Sequence, residues 1–163
     1  MLRLKGIKDS KQLTEAQRIL WQAKFQRVRT EAGCRFSTVF VSERFIDREG
    51  LVAALRFAIS RTLRRFRVNP RSCHVLLDGG IKAPSAFLFQ ETIIRGDESE
   101  PLIAAASIVA KVRRDRHMVR LGKQFPLYGF EEHKGYGTKA HYKALRRHDP
   151  CEVHRRSFLK KLT

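Results

Sequence analysis

The 163-residue chain is poor in several things. It has one tryptophan, two methionines and five prolines, and no low-complexity stretch or linker. With 42% hydrophobic residues it is not a disordered tail. Its three cysteines, Cys34, Cys73 and Cys151, are odd in number and far apart. They form no CxxC or Cys/His ligand spacing, which excludes a disulfide framework and a structural zinc site and implies a reducing compartment. No apolar run approaches the ~20 residues a membrane span needs, and no signal peptide is visible. A cytoplasmic protein with no membrane partner is therefore expected. Acidic residues are scarce, 16 against 34 lysines and arginines, for a net charge of +18 spread along the whole chain. A folded domain this basic most often meets a polyanion, and nucleic acid is the first to consider. Charge alone fits a basic structural protein of a ribonucleoprotein particle equally well.

The length suits a single domain over 1–163, large enough to bury a core. Thr14 and Gln17 form a capping box at a helix start. That helix is expected to bury Ile19, Leu20, Ala23 and Phe25, with Trp21 packed. Residues 36–42 read as a strand from their β-branched and aromatic content. Asp47 is placed to cap a helix over about 49–66, with Leu51, Ala54, Leu55, Ala58, Ile59 and Leu63 inward. Arg56, Arg61, Arg64 and Arg65 form its wet face, a solvated surface first and a nucleic-acid contact second. Asn69-Pro70 is a turn.

Residues 74–121 are the most informative. His74-Val-Leu-Leu-Asp78 followed by two glycines is the pattern of a buried central strand with an acid at its C-terminal end. A second strand over 87–95 is followed by Gly96-Asp97. One such acid is ordinary turn chemistry. Two suggest that neighbouring strands bring both carboxylates to one sheet edge. Neither has an obvious fixed cation partner in the sequence, and oxygen-only carboxylate clusters are how proteins hold hydrated Mg²⁺ or Mn²⁺. After Asp97 a helix starts, with Ser99 available as a cap and Pro101 tolerated in the first turn, and nothing breaks it from Leu102 to Leu121. Ser107, Lys111 and Arg114 recur at i, i+4, i+7 and share one face. That face is either a track for successive phosphates or a solvated basic surface. Asp115 reads as structural, paired with a nearby arginine.

Beyond a turn-rich connector at 125–130, the loop 133–138 sets Tyr136 between two glycines. Such a tyrosine can stack on a sugar or base, or pack at an edge. Thr138 then caps a short helix over 139–147, and His154-Arg-Arg-Ser-Phe158 leads into a basic end.

Taken in order, Asp9-Ser-Lys-Gln-Leu-Thr14, Leu77-Asp-Gly79, Gly96-Asp97, the run 104–112 with Arg114-Asp115, Tyr128-Gly-Phe130, His133-Lys-Gly-Tyr-Gly-Thr138 with His141, and His154-Arg-Arg-Ser-Phe158 resemble ribonuclease HII. The ordered set covers nearly the whole chain. The resemblance implies an α/β, ribonuclease-H-like mixed sheet flanked by helices, with a helical C-terminal portion. It implies an endonuclease that cuts the RNA strand of RNA–DNA hybrids and nicks 5′ of ribonucleotides embedded in duplex DNA. Two-metal-ion hydrolysis with Mg²⁺ or Mn²⁺ would leave 3′-hydroxyl and 5′-phosphate ends. It implies Asp78 and Asp97 as metal ligands and catalytic acids. Tyr136 would pack on the ribose at the RNA-to-DNA junction. Ser107, Lys111, Arg114 and Lys134 would contact substrate, with Lys11 and Arg155 as weaker candidates.

The family pattern also includes a strand bearing Asp-Glu-Ala-Gly-Arg-Gly, which supplies two further metal ligands and the sensor of the ribose 2′-hydroxyl. That motif is absent here; the only Asp-Glu pair is Asp97-Glu98. The chain is thus expected to be N-terminally truncated relative to the family and to lack its first central strand. A fragment or an internal start is favoured, over a catalytically impaired, nucleic-acid-binding remnant and over recruitment of Asp9 or Glu98 into the site. The sequence leaves the oligomeric state open.

Overall fold

The computed structural model describes residues 7, 10–31 and 34–159. In chain order these form α1 (Glu15–Glu31), α2 (Glu43–Glu49), α3 (Leu51–Phe66), β1 (His74–Asp78), β2 (Phe89–Ile93), α4 (Gly96–Ser99), α5 (Pro101–Gln124), α6 (Phe130–His133) and α7 (Lys139–His148). Short 3-10 turns occupy Pro126–Tyr128 and Arg156–Phe158. The architecture is α/β with parallel strands and a helical C-terminal portion, as expected. Two compact units separate, Met1–Val41 with Leu51–Val112 and Ser42–Gly50 with Arg113–Thr163.

In the first unit, α1 begins with the anticipated capping box. The Thr14 amide donates to Gln17 Oε1 at 2.8 Å, and the Gln17 amide donates to Thr14 Oγ1 at 3.2 Å. Two amides that the helix itself cannot satisfy are thereby satisfied. Thr14→Ala should cost about 1 kcal/mol of stability, read as a lowered urea midpoint at unchanged slope.

The buried face of α1 differs from expectation. Phe25 is buried and Trp21 packs beside it, whereas Ile19, Leu20 and Ala23 are exposed. At ~100° per residue, 19 and 23 lie about 200° from 21 and 25, so the expected set never formed one stripe. Phe25 stacks between Trp21 and Phe36, with ring centroids 5.7 and 5.5 Å away. Leu13, Ala105, Ile108, Val109 and Val112 complete this core.

A second core joins Val75, Ala83 and Phe87 to Ile59, Leu63 and Leu77. Of the face expected of α3, Ala54 is buried, while Leu51 and Leu55 are exposed. The sheet has two parallel strands, with Val75 opposite Gln90 and Asp78 opposite Ile93. These are not the deeply buried strands anticipated, because only Val75 is buried. One sheet face packs on α3, while Leu76 borders an open groove of about 600 Å³ that Leu102, Ile103 and Ser107 also line. Residues 36–42 form no strand. Their composition favours extended backbone, but a ladder needs a neighbour to receive its amides, and β1 and β2 are the paired strands among the described residues.

In the second unit Tyr128, Phe130 and Leu145 form the core with Met118, Leu121 and Val153. Ser42 caps α2, its hydroxyl accepting from the Phe45 amide at 3.3 Å. Gly50, at φ 83°, ends α2, which was not anticipated, ahead of α3, the helix expected over about 49–66. Asp47 does not cap that helix. Its carboxylate accepts the amides of Arg156 and Ser157 at 2.7 and 3.0 Å, joining α2 to the 3-10 turn. Burial opposes it, but the Ser157 hydroxyl, which donates to Oδ1 at 2.5 Å, and those two amides hold the Asp47 carboxyl below its ordinary pKa. Thr138 caps α7 as read from the sequence, accepting the His141 amide at 3.2 Å.

Candidate active site

Two acids of the first unit lie on the C-terminal side of the sheet, although Asp97 falls in α4, past the end of β2 at Ile93, and does not itself close a strand as expected. Asp78 closes β1, and its Oδ1 accepts the Gly96 amide at 2.9 Å. That bond ties the end of β1 to the residue preceding Asp97. The turn between is tight. Arg95 is left-handed at φ 56°, which costs about 1–2 kcal/mol for a residue with a Cβ. Gly96 fits closely, since a Cβ there would lie 2.6 Å from Ile103 Cδ1 and 3.3 Å from Ile93 Cβ and would push the end of the Ile103 side chain aside. Asp97 follows, buried at 4% exposure, whereas Asp78 is exposed.

A buried carboxylate requires a partner. Asp97 has one in Lys11, whose Nζ lies 3.0 Å from Asp97 Oδ2 while 74% of its side chain is exposed. The Asp-Ser-Lys segment thus brings a cation onto the acid pair, which the sequence did not reveal. The next hydroxyl along is also engaged, for Ser10 Oγ lies 2.8 Å from Ser107 Oγ on α5. An ammonium seated on a buried carboxylate, with a second carboxylate bonded to the amide of the preceding residue, shows a position that stabilises positive charge. The donors are oxygen only, which suits a hard divalent cation. Among the described residues no group of three or more acidic, histidine or cysteine side chains converges, so the candidate ligand set is this pair.

In the second unit, Tyr136 stands 57% exposed on its loop. Arg114, on α5, holds it. One guanidinium nitrogen donates to the Tyr136 hydroxyl at 2.7 Å and another to the Lys134 carbonyl at 3.0 Å, with the guanidinium carbon 4.6 Å from the ring centroid. Arg114 Nε also lies 3.1 Å from Oδ1 of buried Asp115, an ion-pair contact. Lys134 is left-handed at φ 51°, and its ammonium turns back onto the Glu131 carbonyl.

The sequence matches the Ribonuclease HII family profile over residues 1–161. The chain belongs to the ribonuclease HII family. A Ribonuclease HII of Caldicellulosiruptor bescii is 38% identical over 159 residues, covering 98% of this chain and 74% of the relative. One of Endomicrobium trichonymphae is 40% identical over 152 residues, covering 93% and 70%. One of Delftia acidovorans is 43% identical over 155 residues, covering 95% and 63%. The α/β architecture accords with the ribonuclease-H-like fold, and membership makes the chain one of a family of ribonuclease-H-type endonucleases. No helix among the described residues is long and apolar enough to cross a membrane.

Against the ribonuclease HII pattern, the fold ties Asp78 to the amide of the residue before Asp97 and sets Arg114 and Lys134 at Tyr136. Ser107 and Lys111 lie in the first unit, Ser107 bonded to Ser10 and Lys111 half-buried. Arg114 lies in the second, engaged by its own loop. Glu98 pairs with Arg95 at 3.1 Å. Asp9 falls outside the described residues. Arg155 lies over Phe158, 4.1 Å from its ring centroid. The buried histidines His141 and His154 had drawn notice only as parts of the family pattern.

Proposed function

We propose that the protein is an endonuclease that hydrolyses the RNA strand of RNA–DNA hybrids and nicks duplex DNA 5′ of an embedded ribonucleotide, leaving 3′-hydroxyl and 5′-phosphate ends. The observation that carries this reading is the Asp78 carboxylate bonded to the Gly96 amide, which seats it beside buried, lysine-paired Asp97. Asp78 and Asp97 are the residues of this chain that would hold Mg²⁺ or Mn²⁺. Such cations, when bound, lower the pKa of the attacking water and neutralise the leaving 3′-oxygen.

The remaining roles belong to side chains. Lys11 pairs with Asp97 in its buried setting. Lys111 and Arg114 offer positive charge to flanking phosphates, a contribution that salt weakens. Ser107 offers a hydroxyl to a phosphate oxygen. Tyr136, its hydroxyl held by Arg114, presents a ring face to a ribose, and Lys134 stands in the same loop.

The test is a nicking assay on a DNA duplex carrying one ribonucleotide, with Mg²⁺ or Mn²⁺. Two carboxylates hold a divalent ion less tightly than four, because ligand number and charge set affinity. These 163 residues alone are therefore expected to cleave weakly or not at all, while binding the duplex. Adding a peptide that bears Asp-Glu-Ala-Gly-Arg-Gly should raise the rate, with cuts on the 5′ side of the ribonucleotide. Binding with no cutting even then favours the second reading, a nucleic-acid-binding remnant of the family. That reading rests on the pairing of only two acids among the described residues.

A further inference from the structure

Two histidines lie at the heart of the second unit, His141 at 6% and His154 at 8% exposure. Their ring nitrogens face each other, Nε2 to Nε2, at 3.2 Å. Two such nitrogens can share only one proton, so the outer contacts decide which ring carries it. His154 Nδ1 receives the Cys151 amide at 3.1 Å, and an amide only donates. That nitrogen is an acceptor, and the His154 proton sits on Nε2. Cys151 Sγ is also 3.1 Å from Nδ1, and burial raises its pKa, so it meets the ring as a thiol. At the other end, His141 Nδ1 lies 2.9 Å from the Tyr136 carbonyl, which only accepts. His141 therefore carries its proton on Nδ1 and accepts at Nε2. The two assignments fit. The chain runs Cys151 N–H to His154, His154 N–H to His141, and His141 N–H to the Tyr136 carbonyl, with both rings neutral.

We propose that His154 and His141 form a neutral imidazole relay that fixes the backbone of the Tyr136 loop, and are thus positioning residues for that tyrosine. The functional part of this inference rests on the reading of Tyr136 as a substrate contact. The anchored carbonyl is the backbone of Tyr136 itself, which also accepts the Thr138 amide at 2.8 Å. Arg114 restrains the far end of the same residue at its hydroxyl. The tyrosine is thus held at both ends while its ring stays exposed.

The surroundings favour the neutral state. His133 stacks on His141 with centroids 4.3 Å apart, its own Nε2 donating to the Tyr128 carbonyl and its Nδ1 accepting the Gly135 amide. Phe130 packs against both rings, and Tyr128 lies 4.9 Å from His154. The Tyr128 hydroxyl is committed to the Asp149 carbonyl at 2.5 Å, and burial raises its pKa. His148 lies edge-on to Tyr128, and Glu152 follows Cys151. Burial, with His133 nearby, holds His141 below its ordinary value, and burial together with His141 does the same for His154.

Protonating either ring breaks the relay. A second proton on His141 would set two N–H groups face to face, and one on His154 would confront the Cys151 amide. The sign of the linkage follows. Both folded pKa values lie below the ordinary 6.5, so the unfolded chain binds more protons between the two values. The relay's stabilisation is complete above about pH 6.5 and is lost as pH falls towards the depressed folded values.

Long-range ¹⁵N–¹H spectra of the full chain at neutral pH test the relay directly. The expected result is His141 protonated on Nδ1 and His154 on Nε2, with both rings titrating below 6.5. The opposite tautomer at His154, or titration at or above the ordinary value, would overturn it. A merely structural histidine is separated by substitution. His154→Gln retains an acceptor for the Cys151 amide and a donor for His141, and should bind a ribonucleotide-bearing duplex within about twofold of the parent. His154→Phe loses both bonds and should lose about tenfold in affinity for that duplex, the worth of the single neutral hydrogen bond to His141 that reaches the Tyr136 loop, with no change on an all-DNA duplex. Equal losses for the two variants would also overturn the proposal. Tyr136→Ala separates this from the functional reading. If it leaves discrimination between the two duplexes intact while the tautomers stand as stated, the role of Tyr136 in substrate contact fails and the positioning role fails with it. If Tyr136→Ala abolishes discrimination but the tautomers are otherwise, the relay alone fails.

Discussion

Asp97→Asn is expected to lower ribonucleotide-directed cleavage by about 10³-fold, equivalent to ~4 kcal/mol of lost stabilisation of charge in the transition state. Asp97 is the buried member of the acid pair, and its charge is what holds a cation there. The amide of asparagine preserves the volume and removes that charge. Because cleavage by these residues is expected to be weak from the start, two further readouts carry the test. Mn²⁺ binding should fall with the charge. Affinity for the duplex in the absence of divalent ions should stay level or rise, since a negative charge near phosphates is gone. Stability should change little. Lys11 is largely solvated and loses only an exposed end of the pair, and a buried charge that required a partner disappears. Asp78→Asn should act in the same direction. Unchanged Mn²⁺ binding in both variants would remove the acid pair from the mechanism.

Arg114→Ala should be among the most damaging single changes in the second unit, costing about 2 kcal/mol for the loss of charge-assisted hydrogen bonds to the Tyr136 loop. The substitution removes donors to the Lys134 carbonyl and the Tyr136 hydroxyl, and the cation beside buried Asp115. Chemical denaturation should show a lower midpoint. At a temperature where the variant remains folded, duplex affinity should fall, and the salt slope should shrink by about one phosphate contact. Arg114→Lys should recover little, because one ammonium cannot replace a planar fork aimed at two oxygens while lying over a ring. A midpoint unchanged in Arg114→Ala would mean that the loop is held by its histidines alone.

The contrast between these sites and the helix caps shows where sequence reading succeeds. Thr14 with Gln17, and Thr138 with the His141 amide, lie within three residues of their partners. Only one turn of backbone has to form for such a pair to meet, so residue type and spacing suffice to find it. The strand end at Asp78 was legible for a similar reason: a run of apolar residues closed by an acid marks a local boundary, whereas Asp97, expected to close the next strand, lies in α4 past the end of β2. Burial was harder. Ile19 and Leu20 are apolar and exposed, Asp97 is charged and buried, and residues 36–42 have strand composition and no ladder. Each depends on what lies opposite in space.

By itself, then, the sequence determined the α/β class, the longer helices, the two paired strands, the caps at Thr14 and Thr138, the acid that closes β1 and, through an ordered set of motifs, membership in the ribonuclease HII family. Tertiary structure alone decided that Lys11 sits on Asp97, 86 positions away, that Arg114 clasps Tyr136, 22 positions away, and that His141 meets His154 ring nitrogen to ring nitrogen. Those pairings set the electrostatics of both candidate sites. They come from packing that brings distant side chains within hydrogen-bond range, and no spacing along the chain encodes it.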